Sequence, residues 1–304
     1  MSATREVYSP DCAPGAPRIS PSTRITTAIV ALNARHPKLS DFLLDGTAGA
    51  IAGATTGVVV GIPEYLKVEL QSRGPVVLSH GSTYVNAVRT APTFAGFFSV
   101  VCGLEFSVNA EIGKHYGEYA GVFASATTGG LILSSADHVM YQRSFHKIGT
   151  RGALAHMTLR TLPTGFAPMF AREAMFITTV MHLGPWAGRT LRARGTLGEG
   201  LSGERENMFA GRLSAGLLMT ALSHPFDSLA REMQRFRLAH GSGGVHPTIA
   251  GCMRTMMDNR RTFHGVVPRL GLAAFGGAMA GDVFDRARTV LGAGRLHLLQ
   301  RSNE

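Results

Sequence analysis

The sequence has few charged residues, few cysteines and none of the common catalytic motifs. Charged residues make up 16% of its 304 residues, whereas folded domains in water average about 25%. Cys12, Cys102 and Cys252 are far apart and form no CxxC pair, which excludes a disulfide framework and a structural zinc site. P-loop, GxSxG and HExxH motifs are missing, and the twelve histidines are scattered. We therefore expect no enzyme activity, no cofactor and no metal.

What the chain does contain is positive charge, apolar residues and glycine. The formal net charge is +10, yet the basic residues do not form the dense clusters of a nucleic-acid-binding domain. Hydrophobic residues make up 45% of the chain, which is too many for a disordered protein. There are 37 glycines, well above the usual share of about 7%. Together these features predict a membrane protein with no nucleic-acid partner.

The charge-free runs indicate helices that line a polar cavity. The longest, residues 46–63 and 119–136, are each 18 residues long, just under the roughly 20 that a lone spanning helix needs. Spanning helices around a polar cavity tolerate inward-facing charges. Glycine recurs every fourth residue from Gly49 to Gly61, a spacing that lets membrane helices pack closely. The competing interpretation is a soluble, glycine-rich helical enzyme.

A motif in which an acidic residue is followed shortly by a basic or polar residue recurs three times along the chain. An acidic residue follows each small-residue stretch, and a basic or polar residue follows the acid, in 62–71, 135–143 and 224–234. A second glycine-containing segment lies downstream of each copy, in 94–96, 164–168 and 263–269. This repetition predicts three units of two helices each.

These motifs resemble the Pro-x-Asp/Glu-x-x-Lys/Arg signature of the mitochondrial carrier family, over residues 41–291. Pro225-Phe226-Asp227 is the best match, whereas Pro63 directly precedes its acid, Glu64. The resemblance implies an all-α membrane protein with six transmembrane helices in three pseudo-symmetric two-helix repeats. The implied divisions are a flexible tail 1–40, repeats 41–119, 120–206 and 207–292, and a C-terminal tail 293–304.

The resemblance also implies two gates of paired charges, one at each end of a central cavity. The gate residues that it assigns are Pro63, Glu64, Lys67, Asp137, Pro225, Asp227, Arg231, Asp285 and Arg288. Met140 and Ala230 occupy two of the three basic positions of the matrix gate, and Arg231, one place along, would point about 100° away. We therefore expect a weakened matrix gate. Asp137 could instead snorkel at a helix end, and Asp285 with Arg288 could form a local surface pair.

In the family, solute contacts fall seven residues after the conserved glycine of each even helix. These positions are Gly103, Arg172 and Leu272, and Glu173 follows Arg172. A charged pair between two apolar runs predicts a function inside a membrane. A guanidinium binds a carboxylate in a bidentate fork, and Glu173 could meet an amino group. The alternatives are an internal Arg172–Glu173 network that holds helices together, and a tricarboxylate-type preference suggested by residues 64–67.

The resemblance implies a monomeric, multi-pass transporter of the inner mitochondrial membrane that performs no covalent chemistry. Its solute would be a small amino-acid-like zwitterion or carboxylate, carried by alternating access. Membrane lipid is the other expected partner, with cardiolipin at helix N-termini near Gly165 and Gly265. The alternative function is a degenerate carrier-fold adaptor that does not transport and resides in the outer membrane.

Overall fold

The computed structural model describes residues 31–32, 35–73, 79–146, 152, 164–196, 200–240, 247–258 and 266–302. Within these residues every element of secondary structure is a helix. The helices are α1 (Pro37–Arg73), α2 (Gly81–Tyr116), α3 (Glu118–His146), α4 (Phe166–Ile177), a π-helical segment (Thr178–Leu183), α5 (Gly184–Ala193), α6 (Gly200–His240), α7 (Ile249–Asp258) and α8 (Val266–Ser302). The prediction of an all-α fold is confirmed for the described part of the chain.

Six long helices dominate the fold. α4, the π-helical segment and α5 follow one another with helical backbone angles at both joins, so we call residues 166–193 the fourth helix. Each predicted repeat region then holds two long helices. The helices do not begin and end at the expected boundaries of the repeats: α1 begins at Pro37, α3 at Glu118 and α6 at Gly200, and α8 continues to Ser302.

The six long helices form a closed ring. Each helix packs on the helices before and after it in sequence, and α8 packs on both α6 and α1. α2 and α3 are joined by a single residue, Gly117, whose φ of 93° places it in the left-handed region. Glycine adopts this conformation without steric cost, so the chain reverses direction there within one residue.

The glycine stripe of α1 is the seam between α1 and α2. A Cβ atom at Gly49 would lie 2.5 Å from the Cys102 carbonyl oxygen, and one at Gly57 would lie 2.6 Å from the Cα of Ala95. Backbone therefore meets backbone along this interface. The predicted role of the stripe in close helix packing is confirmed.

α1 and α2 are long and apolar enough to cross a membrane, over Pro37–Lys67 and Gly81–Tyr116. Large apolar side chains point away from the ring on most of the long helices, among them Val58, Val100, Phe123, Leu218 and Phe275. Charged side chains, in contrast, are buried inside, including Lys67, Glu105, Asp227 and Arg269. Fully buried charges are rare in water-soluble domains unless they are paired.

Candidate functional site: a central cavity and its charges

A cavity of about 110 Å³ lies in the middle of the ring and is lined by all six long helices. Its walls include Thr56 from α1, Phe98 from α2, Leu133 from α3, Phe176 from the fourth helix, and many residues of α6 and α8. A single water needs only about 10–15 Å³ of such space, so this cavity has room for several waters or a small polar group. The ring shape therefore produces one shared internal site.

Asp227 of α6 is the centre of a buried charge cluster at one end of this cavity. The Arg269 guanidinium of α8 approaches Asp227 to 2.7 Å, and that of Arg172 in the fourth helix approaches to 2.8 Å. Lys67 Nζ of α1 lies 3.4 Å away, and Arg231 Nε, one helical turn along α6, lies 3.5 Å away. One fully buried carboxylate thus holds four cations from four helices.

Glu64 of α1 is the second acid of this cluster. It pairs with Lys67 one turn along its own helix, and Arg231 of α6 reaches it at 3.2 Å. α1 and α6 are therefore joined in both directions, Glu64 to Arg231 and Lys67 to Asp227. The sequence indicated that Arg231 would point away from the gate, but its long side chain reaches the partner across the ring.

Arg172 links the cluster to a third acid, Glu173. Its Nε donates to Glu173 at 2.6 Å while Nη1 donates to Asp227 at 2.8 Å. One guanidinium therefore serves two carboxylates with different nitrogens, as its fork of donors allows. We name the buried cluster by its seven members: Glu64, Lys67, Arg172, Glu173, Asp227, Arg231 and Arg269.

The buried cluster carries one excess positive charge, because it has three acids and four bases. Glu105 of α2 lines the same cavity and is fully buried. Neither of its carboxyl oxygens has a hydrogen-bond partner among the described residues. With Glu105 ionised, the eight groups would sum to zero, whereas with Glu105 protonated they keep one excess positive charge, so the cavity as a whole suits a zwitterion or a carboxylate.

A second set of charges lies at the other end of the ring. We call it the rim cluster, and its members are Asp41, Asp45, Lys114, Arg212, Asp285, Arg288 and Arg295. Arg288 of α8 contacts Asp45 of α1 at 2.7 Å, and Asp285 pairs with Arg212 of α6. The family resemblance implied that Asp285 and Arg288 would pair with residues of the other even helices, but their partners come from α6 and α1. Asp285 and Arg288 do not form the alternative local pair with each other.

The rim cluster is wetter than the buried cluster. Its Asp285 and Arg288 side chains are about half exposed, at 54% and 55%. A separate cavity of about 510 Å³ opens at this end, beside Asp45, Lys114 and Arg288. The two ends of the ring therefore differ, one sealed by charges and the other open.

An apolar layer separates the central cavity from the rim. Phe106 of α2 and Phe284 of α8 meet edge to face with ring centroids 4.8 Å apart, and Ile177 of the fourth helix packs in the same cluster with Ala48 and Ala52 of α1. On α1, α2 and α8 the residues of this layer fall between the cavity-lining positions and the rim positions, and Ile177 of the fourth helix packs against them level with the cavity. The central cavity is therefore bounded by apolar side chains on one side and by the buried cluster on the other.

The predicted site residues fall in three groups. Glu64, Lys67, Arg172 and Glu173 line the central cavity, and Pro63 and Pro225 lie inside α1 and α6 beside the cluster. Gly103 does not face the cavity: it packs against α1, where a Cβ would lie 3.0 Å from the Gly46 carbonyl oxygen. The side chains of Asp137 and Leu272 lie outside the described residues, as does Gly265.

The sequence motifs assigned no role to Arg269 or Glu105. Arg269 directly follows the Gly265–Pro268 segment of the third repeat and precedes the charge-free run 270–281. That position could have indicated a charge at the end of a spanning helix. Glu105 ends the charge-free run 90–104, which marks it as an acid within a spanning helix. Which way each side chain points depends on helix rotation, which the sequence did not supply.

No protein-family model matches the chain, and no curated protein matches it.

Proposed function

We propose that the protein is a multi-pass membrane transporter that carries a small zwitterion or carboxylate through the centre of its helical ring. The observation that carries this proposal is the central cavity, to which all six long helices contribute and in which buried charges of both signs meet. A six-span arrangement like that of mitochondrial carriers, with a monomeric ring in the inner mitochondrial membrane, is part of the same proposal. Lipid, including cardiolipin, remains the predicted partner of its surface.

The distance between the two charge clusters supports a spanning ring. Asp45 and Glu64 are 19 residues apart on α1, which corresponds to about 28 Å at 1.5 Å per residue. The hydrocarbon core of a bilayer is about 30 Å thick. Asp45 belongs to the rim cluster and Glu64 to the buried cluster, so the apolar exterior between them has the height of one membrane.

The geometry of Arg172 suggests how a solute would bind. Arg172 is slightly exposed to the cavity, at 15%, and a solute carboxylate there would compete with Glu173 and Asp227 for its guanidinium. Losing Arg172 would leave Asp227 with weaker ties to the fourth helix. Solute binding would thus loosen the buried cluster, which is the coupling that alternating access requires.

The enclosed cavity corresponds to one stage of such a cycle. The apolar layer around Phe106 and Phe284 closes the side of the rim, and the buried cluster closes the opposite side. Opening one closure at a time would expose the cavity to either side of the membrane, by movements of the repeats as in other repeat-built transporters.

A thermal-shift screen of the purified protein in detergent tests the proposal. A ligand of the native state at 100 times its Kd raises the free energy of unfolding by about 2.7 kcal/mol, so a solute among a panel of amino acids and carboxylates should raise the melting temperature. Arg172→Ala should lose that shift and should lose uptake of the same solute in liposomes. Arg286→Ala is the matched control, because Arg286 makes only a surface pair with Asp282 at 2.7 Å.

The alternative, a carrier-fold adaptor that does not transport, is favoured by the extent to which Asp227 ties four helices together. Such a cluster can serve as a fixed brace. If no metabolite stabilises the protein, or if Arg172→Ala retains full uptake, the transporter assignment fails and the adaptor is preferred.

A further inference from the structure

Glu105 is a buried acid that the buried cluster does not use. Its side chain is fully enclosed and lines the central cavity about two-thirds of the way along α2. Both carboxyl oxygens lack a hydrogen-bond partner within the described part of the chain. An unpartnered polar group in such a place costs about 1–3 kcal/mol, and more if it is charged.

The stretches of α1 and α3 beside Glu105 offer it no counter-charge, and Lys67 of α1, which lines the same cavity, is paired with Glu64 and Asp227. α1 and α3 flank α2, and their charge-free runs 46–63 and 119–136 contain neither acids nor bases. The fourth helix brings Glu173 and Arg172 within electrostatic range, and Cys102 lies one turn away on α2 itself. α8 places Ala273, Gly276 and Ala280 along the same cavity, with Arg269 bound to Asp227.

Arg172 is the nearest cation, and it is occupied. Two of its nitrogens donate to Glu173 and Asp227. An ionised carboxylate without a counter-charge is so costly in a dry interior that the group takes up a proton instead. A hard metal ion would need six or more oxygen ligands, and the described residues contain no group of three acidic, histidine or cysteine side chains that could hold one.

Gly129 of α3 makes the space for the head of Glu105. A Cβ atom at Gly129 would overlap Oε1 of Glu105, so any larger residue there would push the carboxyl group out of its place. The head of this acid therefore sits in a notch that a glycine provides, facing a cavity large enough for water.

We propose that Glu105 is the proton-binding site of the central cavity, protonated while Arg172 holds Glu173 and Asp227, and ionised when Arg172 is released to pair with it. On ionisation the O–H bond of the carboxyl group breaks, the proton passes to water in the cavity, and the carboxylate pairs with the unchanged guanidinium. If the proposed transport is correct, a solute carboxylate that takes some of the Arg172 donors from Glu173 and Asp227 would leave the others for Glu105, and the solute would be carried together with a change of protonation.

Infrared spectroscopy of the purified full chain in detergent tests this site without any solute. Wild-type protein at neutral pH should show the carbonyl stretching band of a protonated carboxylic acid. Glu105→Gln should remove the band and keep a cooperative thermal transition, because a glutamine has the shape and neutrality of a protonated glutamate. Glu111→Gln, on the same helix but paired with His115 at the surface, should leave the band unchanged.

A second variant tests the link to Arg172. Glu173→Gln frees Nε of Arg172 and removes the neighbouring negative charge, so Glu105 should ionise and its acid band should weaken at neutral pH. A missing band in the wild type, a band that survives in Glu105→Gln, or a Glu105→Gln protein that does not fold would overturn the proton site. An unchanged band in Glu173→Gln would overturn the role of Arg172. Each of these results is independent of whether any solute is found.

Discussion

Asp227 shows at the scale of one residue why the interior of this ring can be charged. Four cations surround its carboxylate at 2.7–3.5 Å, and it is fully buried. Removing charges from water is costly, so such a group persists only where opposite charges and hydrogen bonds replace the lost hydration. Here those partners come from four helices, so interactions across the ring offset the desolvation energy of the buried Asp227 carboxylate.

Asp227→Asn should destabilise the protein by about 3–5 kcal/mol, because it leaves Lys67, Arg172, Arg231 and Arg269 close together with one acid fewer. Asp282→Asn is the matched control. Asp282 pairs with Arg286, which is 58% exposed, and a surface pair is worth about 0–1 kcal/mol. Unfolding of both variants in detergent measures the difference; equal losses would show that the cluster does not brace the ring.

Cys252 of α7 should be a slow nucleophile. Burial, together with the negative charge of Glu232, raises the pKa of its thiol. The thiolate is the reactive form, so alkylation by iodoacetamide should be slower than in the unfolded chain near neutral pH, and the gap should close as the pH rises through the raised pKa.

Mass spectrometry of the peptide that contains Cys252 reports this rate directly. Glu232→Gln should speed the alkylation modestly, since it removes the second cause of the shift, whereas Glu206→Gln near the start of α6 should not change it. A folded-state rate equal to that of the unfolded chain would show that the thiol is not buried.

At this scale the sequence predicted several charged residues of the site, but it did not predict which of them pair with each other. Lys67, Arg172 and Asp227 stood out because charges are rare in their surroundings. The pairing of these charges did not stand out. Glu64 and Arg231, for example, are 167 residues apart in sequence, and only the assembled ring brings them together. Gly103 was misplaced for a similar reason: a count of seven from Gly96 fixed its position along α2 but not the face on which it lies.

At the scale of helices, the small residues decide how closely neighbours approach. Gly53 of α1 lies against the backbone of Phe98, with a Cβ at Gly53 overlapping its carbonyl oxygen. Gly211 of α6 meets Gly188 of α5 in the same manner. The four-residue glycine spacing of α1 could predict which face of that helix packs closely, because a local pattern fixes one face of a helix, but not the residues that it meets.

Gly53→Ala should destabilise the α1–α2 pair by about 1–3 kcal/mol, the usual cost of overpacking. Gly96→Ala is the matched control in α2, because a Cβ there meets nothing within 4 Å. That variant should be neutral or more stable by up to about 1 kcal/mol, as alanine is the better helix former. Melting temperatures in detergent compare the two, and a stabilised Gly53→Ala would contradict the tight seam.

At the scale of the whole molecule, large apolar side chains lie on the exterior of the ring while a cluster of paired charges lies inside it. If this exterior lies in lipid, the protein should remain in the membrane pellet after extraction with alkaline carbonate. The physical reason is that apolar groups such as Val58, Phe123 and Leu218 would otherwise be transferred into water at about 25 cal/mol per Å². Release into the supernatant would contradict the membrane assignment and revive a soluble helical protein.

The two-helix units could be predicted from sequence, whereas the closure of the ring could not. Repeated motifs mark each unit because they recur along the chain. Closure depends on pairs such as Asp45 with Arg288 and Asp41 with Arg295, which are more than 240 residues apart, and no local periodicity encodes such pairs. The central cavity follows from closure, so the charge-free runs and the family resemblance could predict a polar cavity but not the residues that line it.

Closure by the last helix also bears on how the protein is made. α8 leaves the ribosome after every other long helix, yet it carries Arg269 for Asp227 and Arg288 for Asp45. A nascent chain that stops before Val266 would therefore have an open side, with Asp227 and Asp45 lacking these partners. Shortening the chain there should lead to degradation of the entire product and not to a smaller working unit, so the cell receives either a finished ring or nothing.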